Sequence, residues 1–345
     1  MQISTVEPLQ SFCARLLLLD SKKGSGILRR TSNRAGTGGM FSGKQKASIR
    51  VRVAYRPLIV LFATAAMAFS YPIVARAEDN DGFHELETKY IFGFSIGSSV
   101  GDQGDKEFEP DTKADFGKRG GSYGVGQTAL EYEYTPTQFM QIEFGPTVSY
   151  YSIHNIPGLD DREMGTINGF EADVRSVLID HSRSPFAVTL SLEPEFHSRD
   201  ETSGDRVVNY ELETRLEADT ELIKNRLYLG FNALYEPETT RADLGIWENE
   251  STLGVSSALA FQIVPNVTIG ADLWYLSHYT GAAFDSFTGD AAYLGPTFYW
   301  RIAPKILMSA AWEAQIAGRE VGISSRLDLT DFSRERARLL LEFEF

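Results

Sequence analysis

From residue 90 to the C-terminus, apolar and polar residues alternate with a period of two, the spacing of strands whose two faces meet different surroundings. Met140, Ile142, Phe144, Val148 and Tyr150 alternate with Gln141, Glu143, Thr147 and Ser149, and Phe186, Val188, Leu190 and Leu192 with Thr189, Ser191 and Glu193. Twelve such segments are predicted, at 90–97, 130–134, 140–150, 170–175, 186–193, 208–216, 227–232, 253–263, 267–273, 294–302, 308–313 and 339–345. The first rests on Tyr90, Phe92, Phe94 and Ile96 set against Gly93, Ser95 and Gly97.

Alternation alone also suits a soluble sandwich, so the connections decide. Tight turns fall at 135–138, 182–185, 222–225, 264–266 and 303–305. Longer polar links fall between them at 101–121, 153–166, 197–206, 237–248, 280–290 and 317–331. Short and long connections in turn, around an even number of strands, form the pattern of a membrane barrel with turns on one side and loops on the other. The prediction is an all-β, antiparallel, up-and-down transmembrane barrel of twelve strands occupying 78–345 as one domain. Both termini would lie on the periplasmic side of an outer membrane.

The last segment, ARLLLEFEF, ends on an aromatic residue with apolar residues at alternate positions before it. It resembles the terminal strand that the barrel-assembly machinery of Gram-negative bacteria reads, which would make Phe343 and Phe345 the assembly signal. The mature chain as a whole resembles Gram-negative outer-membrane β-barrels of porin-like architecture. FGKRGGSY and EYTPTQ also resemble segments of uncharacterised alphaproteobacterial exported proteins, a likeness that implies no function. Tyr90, Tyr134, Tyr150, Trp247 and Trp300, near strand ends, are candidates for aromatic girdles.

The first 77 residues have a different character. Five basic residues from Lys44 to Arg56 precede the apolar stretch Pro57–Ser70 and an Ala75-Arg76-Ala77 exit, the layout of a secretory signal cleaved before Glu78. Residues 40–77 are therefore read as the signal, with Met40 as the expected start and 1–39 as an upstream extension. No Cys follows the apolar core, so a lipid anchor is excluded. Removing 1–77 takes away twelve of 33 Lys and Arg but only two of 47 Asp and Glu, leaving a chain of net charge −24 without cysteine. Such an acidic chain has no basic footprint for nucleic acid.

With apolar positions toward lipid, the polar face places Glu131, Glu133, Glu143, Glu171, Asp173, Glu193, Glu195, Glu211, Glu213 and Glu217 in the lumen. The last strands would point Arg301, Arg334, Arg336 and Arg338 inward, so that one wall is acidic and the other basic. Opposed walls orient polar solutes in a water-filled pore. The expected function is a narrow, charged-lumen channel for small polar solutes or cations, with outer-membrane lipid around it. A non-conducting structural or adhesive barrel with a salt-bridged lumen is the alternative, and a lipid-modifying enzyme a second one.

Catalytic chemistry finds little footing. Outer-membrane lipid hydrolases place a His two residues before a nucleophilic Ser, and none of His84, His154, His181, His197 or His278 is followed by Ser at that spacing. Glu193, Glu195 and His197 share a strand face on which a divalent ion could sit. They are read as part of a wet carboxylate row, and no metal or cofactor is assigned. Lys118 in FGKRGG lacks the glycine spacing and Ser/Thr of a phosphate loop. The acid-rich stretch 101–116 is expected to be a solvated loop.

Overall fold

The computed structural model describes residue 83, residues 86–242 and residues 245–345. The expected signal and upstream extension lie outside the described residues. Twelve strands close into one antiparallel barrel, each paired with its sequence neighbours and the first with the last. They are β1 (Lys106–Phe116), β2 (Ser122–Thr137), β3 (Met140–His154), β4 (Arg162–Ile179), β5 (Phe186–Arg199) and β6 (Arg206–Ile223). β7 (Leu227–Ala242), β8 (Trp247–Val264), β9 (Val267–Thr280), β10 (Ser286–Ala303), β11 (Ile306–Glu320) and β12 (Glu335–Glu344) complete it. Closure removes every strand edge, so all ladders are satisfied inside the sheet.

Eleven strands fall on the predicted segments; the first does not. Residues 90–97 pair with no strand, and β1 forms instead within 101–121, the stretch expected to be a solvated loop. The physical reason lies in β1's composition. Glu107, Glu109, Asp111, Lys113 and Asp115 occupy one face, and Phe108, Pro110, Thr112, Ala114 and Phe116 the other. A wholly charged lumenal face makes the strand look like loop when only apolar residues are counted. Strands also run longer than predicted, which shortens the links at the loop end to 117–121, 155–161, 200–205, 243–246, 281–285 and 321–334.

Large apolar side chains cover the outer surface. Phe144, Tyr150, Phe170, Leu192, Leu212, Leu216, Leu259, Ile269, Leu294, Trp300 and Leu339 are all exposed outward. Tyr134 and Trp247 also point out, but Tyr90 is buried inside the barrel and cannot belong to a girdle.

The interior has its own apolar core. Tyr228, Ala258, Ala260, Tyr299, Leu307 and Leu340 point inward from the wall and pack on Leu86, Tyr90, Ile91, Phe92 and Ile96. Those five belong to the chain that precedes β1. Between residues 86 and 101 it enters the lumen from the turn end, loops back on itself and leaves to begin β1. Gly97 N–H donates to the Lys89 carbonyl at 3.0 Å, and the Thr88 and Ser99 hydroxyls lie 2.8 Å apart, pinning the neck of a compact Ω-like loop.

Two glycines make this path possible. Gly93 has φ +93°, and a Cβ there would lie 2.5 Å from Thr297 Cγ2 on β10. A Cβ on Gly97 would lie 2.2 Å from the Thr88 carbonyl oxygen.

Candidate functional site: the occupied lumen

The loop at 86–101 carries backbone N–H and C=O groups into the lumen, and each must find a partner there. The wall supplies them. Asp272 accepts from the Ser95 N–H and hydroxyl, both at 2.7 Å, and Asn232 brackets Ile96 by accepting from its N–H and donating to its carbonyl, each at 2.7 Å. Asp219 accepts from Ser98 N–H and the Thr88 hydroxyl, both at 2.6 Å. Arg175 donates to the Gly97 carbonyl at 2.6 Å, Thr189 to the Ser98 carbonyl at 2.6 Å, Ser309 to the Tyr90 carbonyl at 2.7 Å and Arg338 to the Gly93 carbonyl at 2.8 Å.

Lys89 is the ionic centre of this grip. Its ammonium lies 3.5 Å from Glu109 and 2.6 Å from Glu143, and it also pairs with Glu133. All four side chains are withdrawn from solvent, and Tyr90 donates a further hydrogen bond to Glu109. One cation thus sits among three carboxylates from β1, β2 and β3.

At the opposite end the 321–334 connection folds inward. Lys118 donates to the carbonyls of Thr330 and Asp331 at 2.9 and 3.2 Å, Gln315 to the Asp328 carbonyl at 2.8 Å, and Arg119 pairs with Glu320 at 2.6 Å. Burial lowers the Lys118 pKa, although Asp115, Asp331, Asp328 and Asp200 oppose the shift.

Between the two loops lies a cavity of about 390 Å³. Lys89, Tyr90, Phe94 and Ile96 line it from one side, and Lys118, Asp331, Phe332 and Ser333 from the other. Fourteen Asp and Glu line it against seven Lys and Arg, a twofold acid excess. Register explains the crowding. Glu171, Glu195, Glu211, Glu238 and Glu250 face one another in series across β4 to β8. Glu107, Glu133, Glu143 and Asp173 do so across β1 to β4, and Glu193 faces Glu213. Like charges directly opposite are unfavourable, so these bands are not there to stabilise the sheet.

The structure separates the expected lumenal residues into three groups. Glu133 and Glu143 serve Lys89; Glu131 is buried within 4.8 Å of Glu109 and Glu143. Glu171, Asp173, Glu193, Glu195, Glu211 and Glu213 line the cavity. Of these, Glu213 pairs with Arg215, Asp173 accepts from Ser191 at 2.7 Å and Glu195 faces His197. Among the described residues Glu193 and Glu211 have no ion-pair partner. Glu217, also inward, is held by Arg175 at 2.6 Å.

The arginines depart further from expectation. Arg336 pairs with Glu313 at 2.6 Å, Arg338 with Asp111 at 2.9 Å, and Arg301 lies 3.8 Å from Glu87 of the lumenal loop. Arg334 precedes β12 and is exposed, so it does not line the lumen. A free basic wall therefore does not form, because β9, β11 and β12 bring their own acids, Asp272, Glu313 and Glu342, inward. Phe343 and Phe345 face outward at the end of the chain, with Phe345 N–H donating to the Lys106 carbonyl at 3.1 Å.

A model of one protein family matches residues 84–345, the whole barrel and the loop inside it. The chain belongs to DUF6662, a family of unknown function. The match begins at residue 84, so it includes the lumenal loop. No curated protein matches the chain. Among solved structures, this DUF6662 barrel is similar to an outer membrane channel from Pseudomonas putida F1 at 8% identity and a TM-score of 0.50, over 72% of this chain and 98% of that one. The NanC porin (11% identity, TM-score 0.43, 69% and 100% covered) and the KdgM porin in complex with disordered oligogalacturonate (10%, 0.39, 69% and 99%) are also similar. At 8% identity the likeness to the Pseudomonas putida channel concerns the fold alone, a closed antiparallel barrel.

Proposed function

We propose that the chain is a channel-type outer-membrane barrel for small polar solutes and cations, held closed at rest by its own 86–101 loop. In this reading residues 40–77 direct export, both termini lie in the periplasm, and the assembly machinery engages the strand that ends in Phe343 and Phe345. The outward belt of large apolar side chains supports immersion in lipid, where charges on the same face would each cost about 2–4 kcal/mol near the midplane. The single observation that carries the reading is the carboxylate-rich cavity between the two inward loops. Unpartnered carboxylates inside a barrel are tolerable only if water and counter-ions share the space. A purely structural plug would set a cation of its own among them, as Lys89 is set among Glu109, Glu133 and Glu143 at the turn end.

Planar-bilayer recordings under a salt gradient test this. The full mature chain should show small or infrequent steps, and a variant lacking residues 88–99 should conduct continuously with cation selectivity. Triple substitution by Gln of Glu193, Glu211 and Glu236, the last a further cavity-lining carboxylate on β7, should carry that variant's reversal potential toward zero without inverting it, because Arg336 and Arg338 are already neutralised by Glu313 and Asp111. The effect should grow at low salt, where the Debye length exceeds about 10 Å. A deletion variant that folds but passes no current would establish the non-conducting alternative.

A further inference from the structure

We infer that the loop end of the lumen holds a site for one zinc-class divalent ion, formed by His197, Glu195 and Glu201 and positioned by Asn168. This does not depend on whether the lumen conducts. His197 lies near the end of β5, fully withdrawn from solvent, and its Nε2 faces two carboxylates: Glu195 Oε2 at 2.8 Å and Glu201 Oε1 at 3.7 Å. All three donor atoms fall within 4.8 Å of one another. Tetrahedral zinc with ligands at about 2.0–2.2 Å sets its donors about 3.4 Å apart. The shorter contact need only open by about 0.6 Å and the longer one close by about 0.3 Å, with the two carboxylates, whose oxygens lie within 4.8 Å of each other, drawing in around the ion. Glu201 stands on the 200–205 turn with its side chain half exposed, so it can move and offers the ion a way in.

The second observation is Asn168. It is buried, its amide Nδ2 lies 3.3 Å from His197 Nδ1, and its Oδ1 is buried without any hydrogen-bond partner. An amide's two ends are interchangeable in shape, and the choice decides the imidazole's tautomer. With Nδ2 toward the ring, Nδ1 accepts, Nε2 carries the proton and donates to Glu195, and Oδ1 is left orphaned. Turning the amide removes the orphaned acceptor: Oδ1 accepts from Nδ1–H, and the Nε2 lone pair then points at two carboxylates. That arrangement calls for an ion or a second ring proton between them. A hydrogen-bond acceptor on the far ring nitrogen is how metal-ligating histidines are oriented. Ser198 donates to the Asn168 carbonyl at 2.6 Å and fixes that residue's backbone.

The imidazole selects the class of ion. Calcium and magnesium prefer all-oxygen shells, whereas nitrogen with carboxylate suits zinc and its neighbours. Water would complete the fourth position. A second proton on the ring fills the same place, so ion and proton compete.

The refolded mature barrel in detergent micelles, at pH 7.5, is titrated with zinc against a fluorescent chelator, and heat-modifiable mobility verifies folding of every variant. One saturable ion per chain is expected, with calcium a poor competitor. His197→Gln should weaken it at least tenfold, and Asn168→Leu by about 10–100-fold. Asn168→Asp keeps the acceptor and should keep the affinity, a rescue that a purely structural role for Asn168 would not predict. Glu163→Gln, an exposed carboxylate beside His154 and outside the cluster, should leave binding unchanged. The inference is overturned if no saturable binding occurs, if His197→Gln binds as the parent does, if calcium competes equally, or if Glu163→Gln loses as much as His197→Gln.

Discussion

The two halves of the lumen treat the same side chains in opposite ways. Toward the turn end, charged and polar residues of the wall are consumed in gripping the 86–101 loop: Asp272, Asn232, Asp219 and Arg175 each meet a backbone group at 2.6–2.7 Å. Carboxylates face each other across adjacent strands in both halves, but at the turn end Lys89 stands among them, whereas toward the loop end Glu211, between Glu195 and Glu238, has no ion-pair partner among the described residues. Both halves are written with the same alternating pattern, polar in and apolar out. Whether an inward carboxylate is structure or site depends on what stands opposite it.

Removing charge should therefore have opposite signs in the two halves. In the gripped half, Lys89→Met leaves Glu109, Glu133 and Glu143 together without their cation. Breaking a buried ionic cluster by one partner costs about 3–5 kcal/mol. Urea unfolding of the refolded barrel should show that loss, and limited proteolysis should cut between residues 86 and 101. A variant as stable and protease-resistant as the parent would mean that the loop is held by its apolar contacts alone.

In the cavity half, Glu211→Gln removes a charge that faces both Glu195 and Glu238. Relief of the two like-charge pairs should stabilise the barrel by about 0.2–1 kcal/mol each, and high salt should erase the gain. The same urea series reads it. Destabilisation here would show that Glu211 has a partner like those in the gripped half, and the contrast between halves would fail.

A third substitution lies outside the lumen altogether. Phe345 is well exposed, with its ring 6.2 Å from that of Tyr132. Phe345→Ser should lower the yield of assembled barrel in cells while changing the unfolding free energy of what does assemble by less than about 1.5 kcal/mol, the upper worth of an aromatic pair. Equal yields from both chains would remove the aromatic end from any role in assembly.

The barrel was legible because membrane strands alternate so strictly: β2 to β12 each carry a run such as Met140, Ile142 and Phe144. The lumenal loop was not, because Tyr90, Phe92, Phe94 and Ile96 also alternate, although with Gly93 and Gly97 between them. Alternation describes two environments and does not say that a ladder is present. A signal did exist on the other side of the contact. Tyr228, Tyr299, Leu307 and Leu340 occupy inward positions, and apolar groups facing a water-filled lumen would be unpaid for without an apolar partner inside. The pairing of Arg336 and Arg338 was hidden because Glu313 and Asp111 lie on other strands, and only closure of β1 on β12 brings Asp111 to Arg338.

The last contrast concerns the 321–334 connection, which caps the cavity. Asp328 Oδ1 accepts from the N–H groups of Thr330 and Asp331, both at 3.1 Å, while Oδ2 is buried without a partner. Burial pushes this carboxyl up to about 6; the two N–H donors oppose the shift, and Asp331 and Glu320 add to it. A carboxyl that titrates higher when the loop is folded binds its proton more tightly in that state. Loop order is then greatest below the ordinary aspartate range, declines as pH rises from about 4 to 6, and levels off above that. Asp328→Asn keeps the Oδ1 acceptor, puts a donor where Oδ2 had none, and carries no charge at any pH. Hydrogen exchange over 321–334, corrected for the intrinsic rate, should speed up between pH 4 and 6 in the parent and stay flat in the variant. At pH 7 the variant should be the better protected, by up to about a hundredfold, the equivalent of the shift from the ordinary aspartate value to about 6. Identical pH profiles would place the Asp328 carboxylate in water and leave the cap to Lys118 and Gln315.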